Sequence, residues 1–190
     1  MRWFESIAYF FALNRNIDME TSVAAPTRFF IRNTQLNDAN ELLALLNRLI
    51  EIGGTTSMQK PMNKGEFISM FIEGDLKETS VCAIDRESGE PLGFQIAGHY
   101  KDVPAGWVEV GTFVKPGLHK SGIGSALFKA TLAGLEGKGF KALNALIRAD
   151  NTGGLAYYNS RGFKEYKREK AVPLDDGTPV DRVYMRYDLV

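Results

Sequence analysis

The chain has 190 residues, and its content of 44% hydrophobic and 24% charged residues is that of an ordinary globular protein. Lysine and arginine together number 23, as do aspartate and glutamate, so no overall charge draws the chain to nucleic acid or to an anionic membrane. A single cysteine, Cys82, excludes an internal disulfide and favours a reducing cytoplasm, and with only two histidines we expect no metal site.

Residues 1–26 form a predicted extension ahead of one domain that covers residues 27–190. Polar and charged residues follow its apolar run, Ile7–Leu13, at once. That run is far shorter than the roughly 20 apolar residues that a membrane-spanning helix needs. We interpret the extension as a short amphipathic helix or an irregular leader, and a signal peptide or surface anchor is the alternative.

From Thr27 onward the hydrophobic pattern becomes regular. Arg28–Arg32 reads as a strand, and Asn37-Asp38 as the N-cap of a helix in which Glu41 completes a capping box. Apolar residues at helical spacing extend this helix as far as Gly53-Gly54; they are Leu42, Leu45, Leu46 and Leu49.

The remaining predicted elements alternate between strands and helices. In chain order they are a helix over Glu66–Glu73, strands over Ser80–Ile84, Leu92–Tyr100 and Trp107–Val114, a helix from Gly122 to Glu136, a strand over Ala142–Arg148, a short helix over Thr152–Ser160, and strands over Phe163–Lys167 and Val180–Leu189. Antiparallel hairpins followed by a strand–helix–strand unit indicate an α+β, or mixed α/β, domain.

A strand, a glycine-containing loop and a helix start follow one another in Val114–Leu127 (VKPGLHKSGIGSAL). The first turn of a helix has amides without intrahelical partners and lies at the positive end of the helix dipole, so it favours an anion. Gly122 and Gly124 lack side chains that would keep a phosphate group from the backbone. Because Lys120 and Ser121 offer a charge and a hydroxyl, the stretch predicts a phosphate-binding loop.

Other phosphate motifs fit this stretch less well. The nucleotide P-loop ends in Gly-Lys-Ser/Thr, which is absent, and the dinucleotide fingerprint needs a third Gly or Ala where Leu127 stands. A tight loop and helix start without any ligand is the alternative that a glycine pair alone would satisfy. The strand–loop–helix context favours binding.

These residues resemble the first signature of the GNAT acetyltransferases, Arg/Gln-x-x-Gly-x-Gly/Ala. His119–Gly124 matches it in both glycines and has His in the first position. A second family signature is similar to Asn151 followed by Leu155–Phe163, in which Tyr158 stands four residues before a Gly-Phe pair. Both signatures occur in order and at the expected separation.

A finer resemblance points to the phosphinothricin acetyltransferase-like branch of that family. It rests on Ile50–Lys60 (IEIGGTTSMQK) between the first two helices, and on Glu109 ahead of Phe113-Val114.

The resemblance implies the GNAT fold, a central, mostly antiparallel twisted sheet of about six or seven strands flanked by about four helices. It implies that acetyl-CoA binds with its pantetheine arm in a gap between the strands Trp107–Val114 and Ala142–Arg148. The implied cofactor-binding residues are Phe113, Val114, Lys115, His119, Lys120, Ser121, Gly122, Ile123, Gly124, Ser125 and Asn151.

The resemblance also implies direct attack of an amine on the thioester, without an acyl-enzyme. Tyr158 matches the family's acid, and Glu109 matches the carboxylate that serves as base in the phosphinothricin-like branch. Glu109 shares a strand face with Trp107 and Phe113, and such apolar neighbours would raise the pKa of its carboxyl group. In the alternative, the Tyr158 ring belongs to the core with Tyr157 as its exposed partner, and Glu109 is a solvated or ion-paired strand residue.

Other single residues carry simpler expectations. Asn151 is a helix cap, with or without contact to the cofactor. Cys82 is a small core residue, and His99 is a satisfied structural histidine. Thr55 and Thr56 either line the amine pocket or are ordinary loop residues.

The function that follows is an N-acetyltransferase that moves the acetyl group of acetyl-CoA to a primary amine of a small, preferably amino-acid-like, molecule. The alternatives are a GNAT-fold acyl-CoA sensor or scaffold without turnover, and an interaction domain whose N-terminal helix docks on a partner. Candidates for acid and base favour the enzyme. We expect neither nucleic acid nor membrane as a partner, whereas the family's habit of pairing implies a homodimer.

Overall fold

The computed structural model describes residues 27–100 and 103–189, so the predicted N-terminal extension lies outside the described residues. The elements are β1 (Phe29–Asn33), α1 (Ala39–Ile52), α2 (Lys64–Phe71), β2 (Lys77–Asp85), β3 (Pro91–Gly98), β4 (Trp107–Val114), α3 (Ile123–Leu135), β5 (Ala142–Arg148), α4 (Thr152–Ser160), β6 (Lys164–Pro173) and β7 (Pro179–Asp188), with one turn of 3-10 helix at Leu36–Asp38 before α1. Within the described residues no helix is both long and apolar enough to cross a bilayer.

The strands form one seven-stranded sheet in the order β1-β2-β3-β4-β5-β7-β6. Neighbouring strands are antiparallel except β4 and β5, which are parallel because α3 crosses over between them. The predicted α+β sheet, mostly antiparallel and flanked by four helices, is confirmed.

Side-chain alternation along the strands divides the core between the two faces of the sheet. On one face α1 and α2 pack against β2, β3 and β4, with Leu42, Leu46, Phe67, Phe71, Cys82, Phe94 and Phe113 among the buried residues. On the other face α3 and α4 cover the middle strands, with Ile123, Leu127, Val108, Val110, Leu143, Ala145, Val183 and Met185 buried. Residues of β4 that alternate with Val108 and Val110 therefore lie on the face of α1 and α2.

The strand β6 runs to Pro173, well past the predicted end at Lys167, and begins one residue after the buried Phe163. Nearly all of its residues are exposed, because it is an edge strand that pairs only with β7. Charged residues such as Lys164, Glu165 and Lys170 suit such an edge, since they discourage pairing with other chains. Because such residues occupy both faces of β6, its sequence lacks the alternation of apolar and polar residues by which a strand is predicted.

The capping box predicted for α1 is wrong. Asp38 has helical dihedral angles (φ −79, ψ −13) and its side chain makes no capping bond to α1. Instead, its carboxylate accepts hydrogen bonds from Arg32 Nη1 at 2.6 Å and Nη2 at 2.7 Å, and from the Gln35 amide at 2.7 Å. Buried Cys82 lies beside this ion pair, with its Sγ 3.4 Å from Arg32 Nη1. Asp38 thus ties β1 to the start of α1.

We expect Asp38→Ala to lower the free energy of unfolding by about 2–3 kcal/mol, because it leaves the Arg32 guanidinium without its bidentate partner. Burial alone would raise the pKa of Asp38, but the bonds from Arg32 and from the Gln35 amide outweigh it, so the pKa is lowered. The stabilisation is therefore present above the ordinary carboxyl pKa and lost as the pH falls through the lowered value. Urea unfolding of the native protein and of Asp38→Ala, each at neutral and acidic pH, should show that the loss of unfolding free energy in the variant is smaller in acid.

The matched control is Glu51→Ala, which removes an exposed carboxylate paired to Arg48 at 2.6 Å on the same helix. Exposed pairs contribute at most about 1 kcal/mol, so this variant should unfold almost like the native protein. Equal losses in the two variants would contradict the importance of the Asp38 ion pair.

Candidate active site

β4 and β5 separate after three residue pairs, which are Trp107↔Ala142, Val108↔Leu143 and Glu109↔Asn144. β3 stays with β4 to its end. The remainder of β4, Val110–Val114, consequently has one edge turned towards a gap between the two parallel strands. This is the gap that the family resemblance implied.

Alternate residues of β4 direct their backbone groups into this gap. The Lys115 amide donates to the Leu92 carbonyl at 2.9 Å, so the neighbouring pair Gly93↔Val114 is a non-hydrogen-bonded pair of the antiparallel ladder. The N–H and C=O groups of Val114 therefore point away from β3, and by the two-residue alternation so do those of Thr112.

This pattern shows which of the predicted backbone groups at the end of β4 face the gap. Val114 presents its backbone to the gap, whereas the backbone groups of Phe113 face β3. The Lys115 amide donates to the Leu92 carbonyl of β3, and the Lys115 carbonyl accepts from the Leu118 amide at 3.2 Å. The Phe113 side chain lies in the core of α1 and α2, stacked on Phe94 with 4.7 Å between ring centroids. Sequence inspection overlooked Thr112, because only the strand register shows which backbone groups are open.

The loop before α3 has an unusual backbone. Gly117, Lys120 and Gly122 all have positive φ angles, at 83°, 64° and 84°, a conformation that costs energy for a residue such as lysine and often marks a functional loop. The first hydrogen bond of α3 runs from the Ala126 amide to the Gly122 carbonyl at 3.0 Å. The amides of Gly122–Ser125 thus precede the helical ladder and lie at its positive end.

Three consecutive residues of this loop have exposed side chains, and one of these side chains makes a hydrogen bond within the loop. His119, Lys120 and Ser121 are exposed beside the helix start. The Ser121 hydroxyl donates to the Leu118 carbonyl at 2.7 Å, so it closes the turn.

The two glycines of the signature, Gly122 and Gly124, have different structural roles. A Cβ atom on Gly122 would meet nothing within 4 Å, so the space beside this residue is open. A Cβ on Gly124 would come within 2.8 Å of the Tyr157 ring, whose hydroxyl donates to the Gly124 carbonyl at 2.8 Å. Gly122 thus keeps the approach to the amides clear, whereas Gly124 makes room for a packed tyrosine.

Tyr158 places a hydroxyl at the edge of the gap while its ring lies in the core. The residue is 7% exposed, and its ring packs against Phe163 and Tyr157. Its Oη is 3.0 Å from Thr112 Oγ1 and 3.4 Å from the Val110 carbonyl oxygen. Burial raises the pKa of Tyr158 against the opposing bond to Thr112, so the phenol stays protonated at neutral pH. Tyr157 is half-buried and is not the exposed partner considered from sequence.

The buried side-chain amide of Gln95 is linked through Thr112 to the Tyr158 hydroxyl. Gln95 is fully buried, and its Nε2 donates to Thr112 Oγ1 at 2.7 Å and to Tyr157 Oη at 3.3 Å. Because Thr112 Oγ1 accepts from Gln95, its own proton is available to Tyr158. One signal was present in the sequence: a lone glutamine inside the apolar run Leu92–Ala97 needs a buried partner.

Glu109 lies at the last pair before the gap and is half-buried on the face of α1 and α2. Burial is the largest cause of the raised pKa of Tyr100, and the charge of Glu109 is the second. Burial is also the largest cause of the raised pKa values of Tyr158 and Tyr166, to which the charge of Glu109 contributes less. All three phenols are therefore within electrostatic reach of this carboxylate, at the point where the strands part.

The loop between α1 and α2 contacts the start of α4. Asn151 caps α4 as predicted, with Oδ1 accepting from the Gly154 amide at 2.8 Å, and its Nδ2 donates to the Thr55 carbonyl at 2.9 Å. The Thr55 hydroxyl donates to the Leu49 carbonyl, and that of Thr56 accepts from the Met58 amide. Both hydroxyls thus shape the loop, and contact of either threonine with a substrate stays a prediction.

Two residues of simpler expectation behave as predicted. Cys82 is fully buried, which raises the pKa of its thiol to about 12. The His99 ring is satisfied by Glu78, with 3.1 Å between Nε2 and Oε1. In residues 27–100 and 103–189, no group of three His, Cys, Asp or Glu side chains is arranged to hold a metal ion.

Comparison with known families agrees with this geometry. Residues 44–163, more than half of the chain, match the model of the acetyltransferase (GNAT) family. The chain therefore belongs to the GNAT acetyltransferase family. The predicted family and enzyme class are confirmed.

Solved structures share the fold at low sequence identity. An N-acetyltransferase from Staphylococcus aureus is 24% identical with a TM-score of 0.73, over 85% of this chain and 99% of that one. A phosphinothricin acetyltransferase from Sinorhizobium meliloti, in complex with acetyl-CoA, is 22% identical with a TM-score of 0.74, over 85% and 89%. A ribosomal-protein-alanine N-acetyltransferase from Brucella melitensis is 20% identical with a TM-score of 0.68, over 84% and 99%.

Proposed function

We propose that this chain transfers the acetyl group of acetyl-CoA directly to a primary amine of a small molecule. The observation that supports this most is the open edge of β4, which has the free amides of α3 at one end and the Tyr158 hydroxyl at the other. A solved relative from S. meliloti holds acetyl-CoA on the same fold. The amino-acid-like character of the acceptor, the homodimer and the cytoplasmic location rest on the sequence arguments and remain predictions.

The described residues fit acetyl-CoA along its length. The amides of Gly122–Ser125 and the dipole of α3 receive the diphosphate, with the Lys120 and His119 side chains as additional donors. The backbone groups of Val114 and Thr112 pair with the amides of the pantetheine arm. Asn151 acts by holding the α1–α2 loop against the start of α4.

Proton transfers are assigned to the two residues at the point where β4 and β5 part. Glu109 takes a proton from the acceptor's amino group, so that its nitrogen attacks the thioester carbon. As the C–N bond forms, the C–S bond breaks and Tyr158 donates its proton to the departing sulfur. The second proton that the nitrogen loses on becoming an amide restores the Tyr158 phenol. Backbone amides of β4 that face the gap stabilise the negative charge developing on the carbonyl oxygen.

The proposal is tested by thiol release from acetyl-CoA with a panel of primary amines, for the native protein and for Glu109→Gln. We expect transfer to at least one small amine and a large loss in the variant. Stabilisation of the fold by acetyl-CoA without transfer to any amine would identify a sensor or scaffold instead. Neither stabilisation nor transfer would favour the interaction domain.

Removing the hydroxyl that links Gln95 to Tyr158 should impair turnover more than binding. We expect Thr112→Val to lower kcat about tenfold with little change in the KM for acetyl-CoA, since the Tyr158 proton loses its orientation. Steady-state kinetics measure both quantities.

The control for this variant is Thr131→Val on α3. Thr131 is fully buried and its Oγ1 has no hydrogen-bond partner in the described part of the chain, so its loss should leave kcat unchanged. A normal kcat in Thr112→Val would remove Thr112 from the mechanism.

A further inference from the structure

The sheet face that carries Glu109 continues across β5 and β7 beyond the cover of α1 and α2, which pack over β2, β3 and β4. Leu143, Ala145, Val183 and Met185 point to the core beneath α3 and α4. Their alternating neighbours therefore share the face of Glu109. These neighbours are Asn144, Leu146 and Arg148 on β5, and Arg182, Tyr184 and Arg186 on β7.

Two arginines lie directly opposite each other on this face. Arg148 and Arg182 are partners in the β5–β7 ladder, and they are only 9% and 6% exposed. Arg148 is neutralised by Asp150, with 2.9 Å between its Nε and Oδ1. Arg182 has no such partner: its Nη1 is shut off from solvent and makes no hydrogen bond within the described residues.

The two carboxylates on which the charge of Arg182 acts, Asp150 and Glu169, are already engaged. Glu169, its partner across the β6–β7 ladder, accepts from Lys167 Nζ at 2.6 Å and from the Tyr184 hydroxyl at 2.9 Å. Asp150 is held by Arg148. The pKa of Asp176, lowered mainly by its bond from the Thr178 amide, is lowered further by the charge of Arg148, so this carboxylate also belongs to the cluster. Arg182 Nη1 remains a buried donor without a hydrogen bond beside a like charge, and burial in this state is costly unless an acceptor joins it.

A loop closes this end of the face. The Thr55 carbonyl accepts from Asn151 just past the end of β5, and Gln59 Oε1 accepts from the Asp175 amide in the β6–β7 turn at 2.7 Å. The chain between Thr55 and Gln59 therefore crosses the ends of β5 and β7, at the level of Arg148 and Arg182. This face thus has Glu109 near one end and two guanidinium groups at the end that the loop crosses.

We propose that Arg182 binds a carboxylate of the acceptor molecule, at one end of a sheet face whose other end receives the acceptor's amine beside Glu109. This inference rests on the proposed function and refines its substrate. Along β5 the two ends are four residues apart, from Asn144 to Arg148, or about 13 Å by the rise of a strand. The amine and the acid of the acceptor are thus several bonds apart, as in an ω-amino acid, and an α-amino acid is too short.

The electrostatic neighbours of the two ends agree with that separation. The charge of Arg182 contributes, behind closer partners, to the lowered pKa values of Asp150 and Glu169. The charge of Glu109 contributes to the raised pKa of Tyr100, after burial, and to that of Tyr158. The two charges act on different sets of residues, as expected for opposite ends of one sheet face.

The test compares ω-amino acids with the amines that lack their carboxylate: glycine with methylamine, aminobutyrate with propylamine, and aminohexanoate with pentylamine. In the native protein, kcat/KM should favour the acid by about tenfold or more for the longest pair and not for the shortest. In Arg182→Met this preference should vanish. The kcat/KM for aminohexanoate should fall, whereas that for pentylamine should stay within about twofold of the native value.

The matched control is Arg168→Met, which removes an exposed guanidinium of β6 that is paired to Glu165 and Asp181. It should keep the native preference. Thermal unfolding of Arg182→Met should occur no lower than in the native protein, since a buried donor without a hydrogen bond is removed. If Arg182→Met does not fold, Arg182→Lys serves in its place and should retain only part of the preference.

The outcomes separate this inference from the proposed function. Three results would overturn the role of Arg182 alone: transfer without preference for any acid, transfer to other amines of the panel but to no member of this series, or a preference that survives in Arg182→Met. Neither transfer nor stabilisation by acetyl-CoA in the native protein would remove the proposed function itself.

Discussion

Tyr158→Phe is expected to lower kcat about 100-fold, the scale of a lost general acid, while the KM for acetyl-CoA stays within about twofold. The change deletes one oxygen and leaves the ring, which packs between Phe163 and Tyr157 in the core. The departing sulfur then has to leave as a free thiolate. Single-turnover measurement of thiol release would show the loss in the chemical step itself.

The pH dependence gives a second check on this assignment. An acid must be protonated to act, and burial raises the pKa of Tyr158 above its ordinary value of 10.0. The phenol should therefore stay protonated between about pH 7 and pH 9, and kcat should show no decline in that range from loss of this proton. A kcat that falls with a midpoint near neutrality would assign the acid to another group.

A suitable control for Tyr158→Phe is Tyr187→Phe. Tyr187 packs in the same core against Phe128 and Phe163, but it lies on β7, away from the edge of β4. Its variant should keep native kcat and nearly native stability. Equal activity of both variants would leave Tyr158 as a core residue only.

Elements with clear boundary residues were predicted to within a residue or two. The limits of β4, β5 and α4 agree with prediction, because turns or caps interrupt the hydrophobic pattern at their ends. Asn151 could be recognised as the cap of α4 because capping acts over a few residues. β6 was predicted too short, since its pairing with β7 is not recorded in its own apolar pattern.

The features of the site also fall into two groups: those that neighbouring residues in the sequence determine, and those that depend on the pairing of distant strands. The amides before α3 follow from a glycine-rich loop that meets a helix, so this stretch of sequence suffices to predict them. The roles of Gln95 and Arg182 depend on the pairing of strands far apart in the chain, such as Gln95↔Thr112 and Arg148↔Arg182. Asp38 shows the converse error, in which a plausible local cap was displaced by a stronger bond to Arg32.

Gly122→Asp is expected to weaken acetyl-CoA binding at least about tenfold relative to Gly122→Asn, because it places a negative charge where the free amides of α3 would meet the diphosphate. Both residues tolerate the positive φ of 84° better than other side chains, and a Cβ there meets nothing within 4 Å. The two variants have nearly the same shape, so the difference between them reports charge alone. Isothermal titration with acetyl-CoA measures it directly.

The salt dependence of binding distinguishes repulsion of the diphosphate by Gly122→Asp from a change in the shape of the loop. The site is exposed, so added salt should screen the repulsion and bring the dissociation constants of Gly122→Asp and Gly122→Asn together. If acetyl-CoA bound both variants equally at low salt, the diphosphate would not lie on these amides. Binding would then depend on the backbone of β4 alone, where Val114 and Thr112 face the gap, and the glycine at position 122 would serve only the turn into α3.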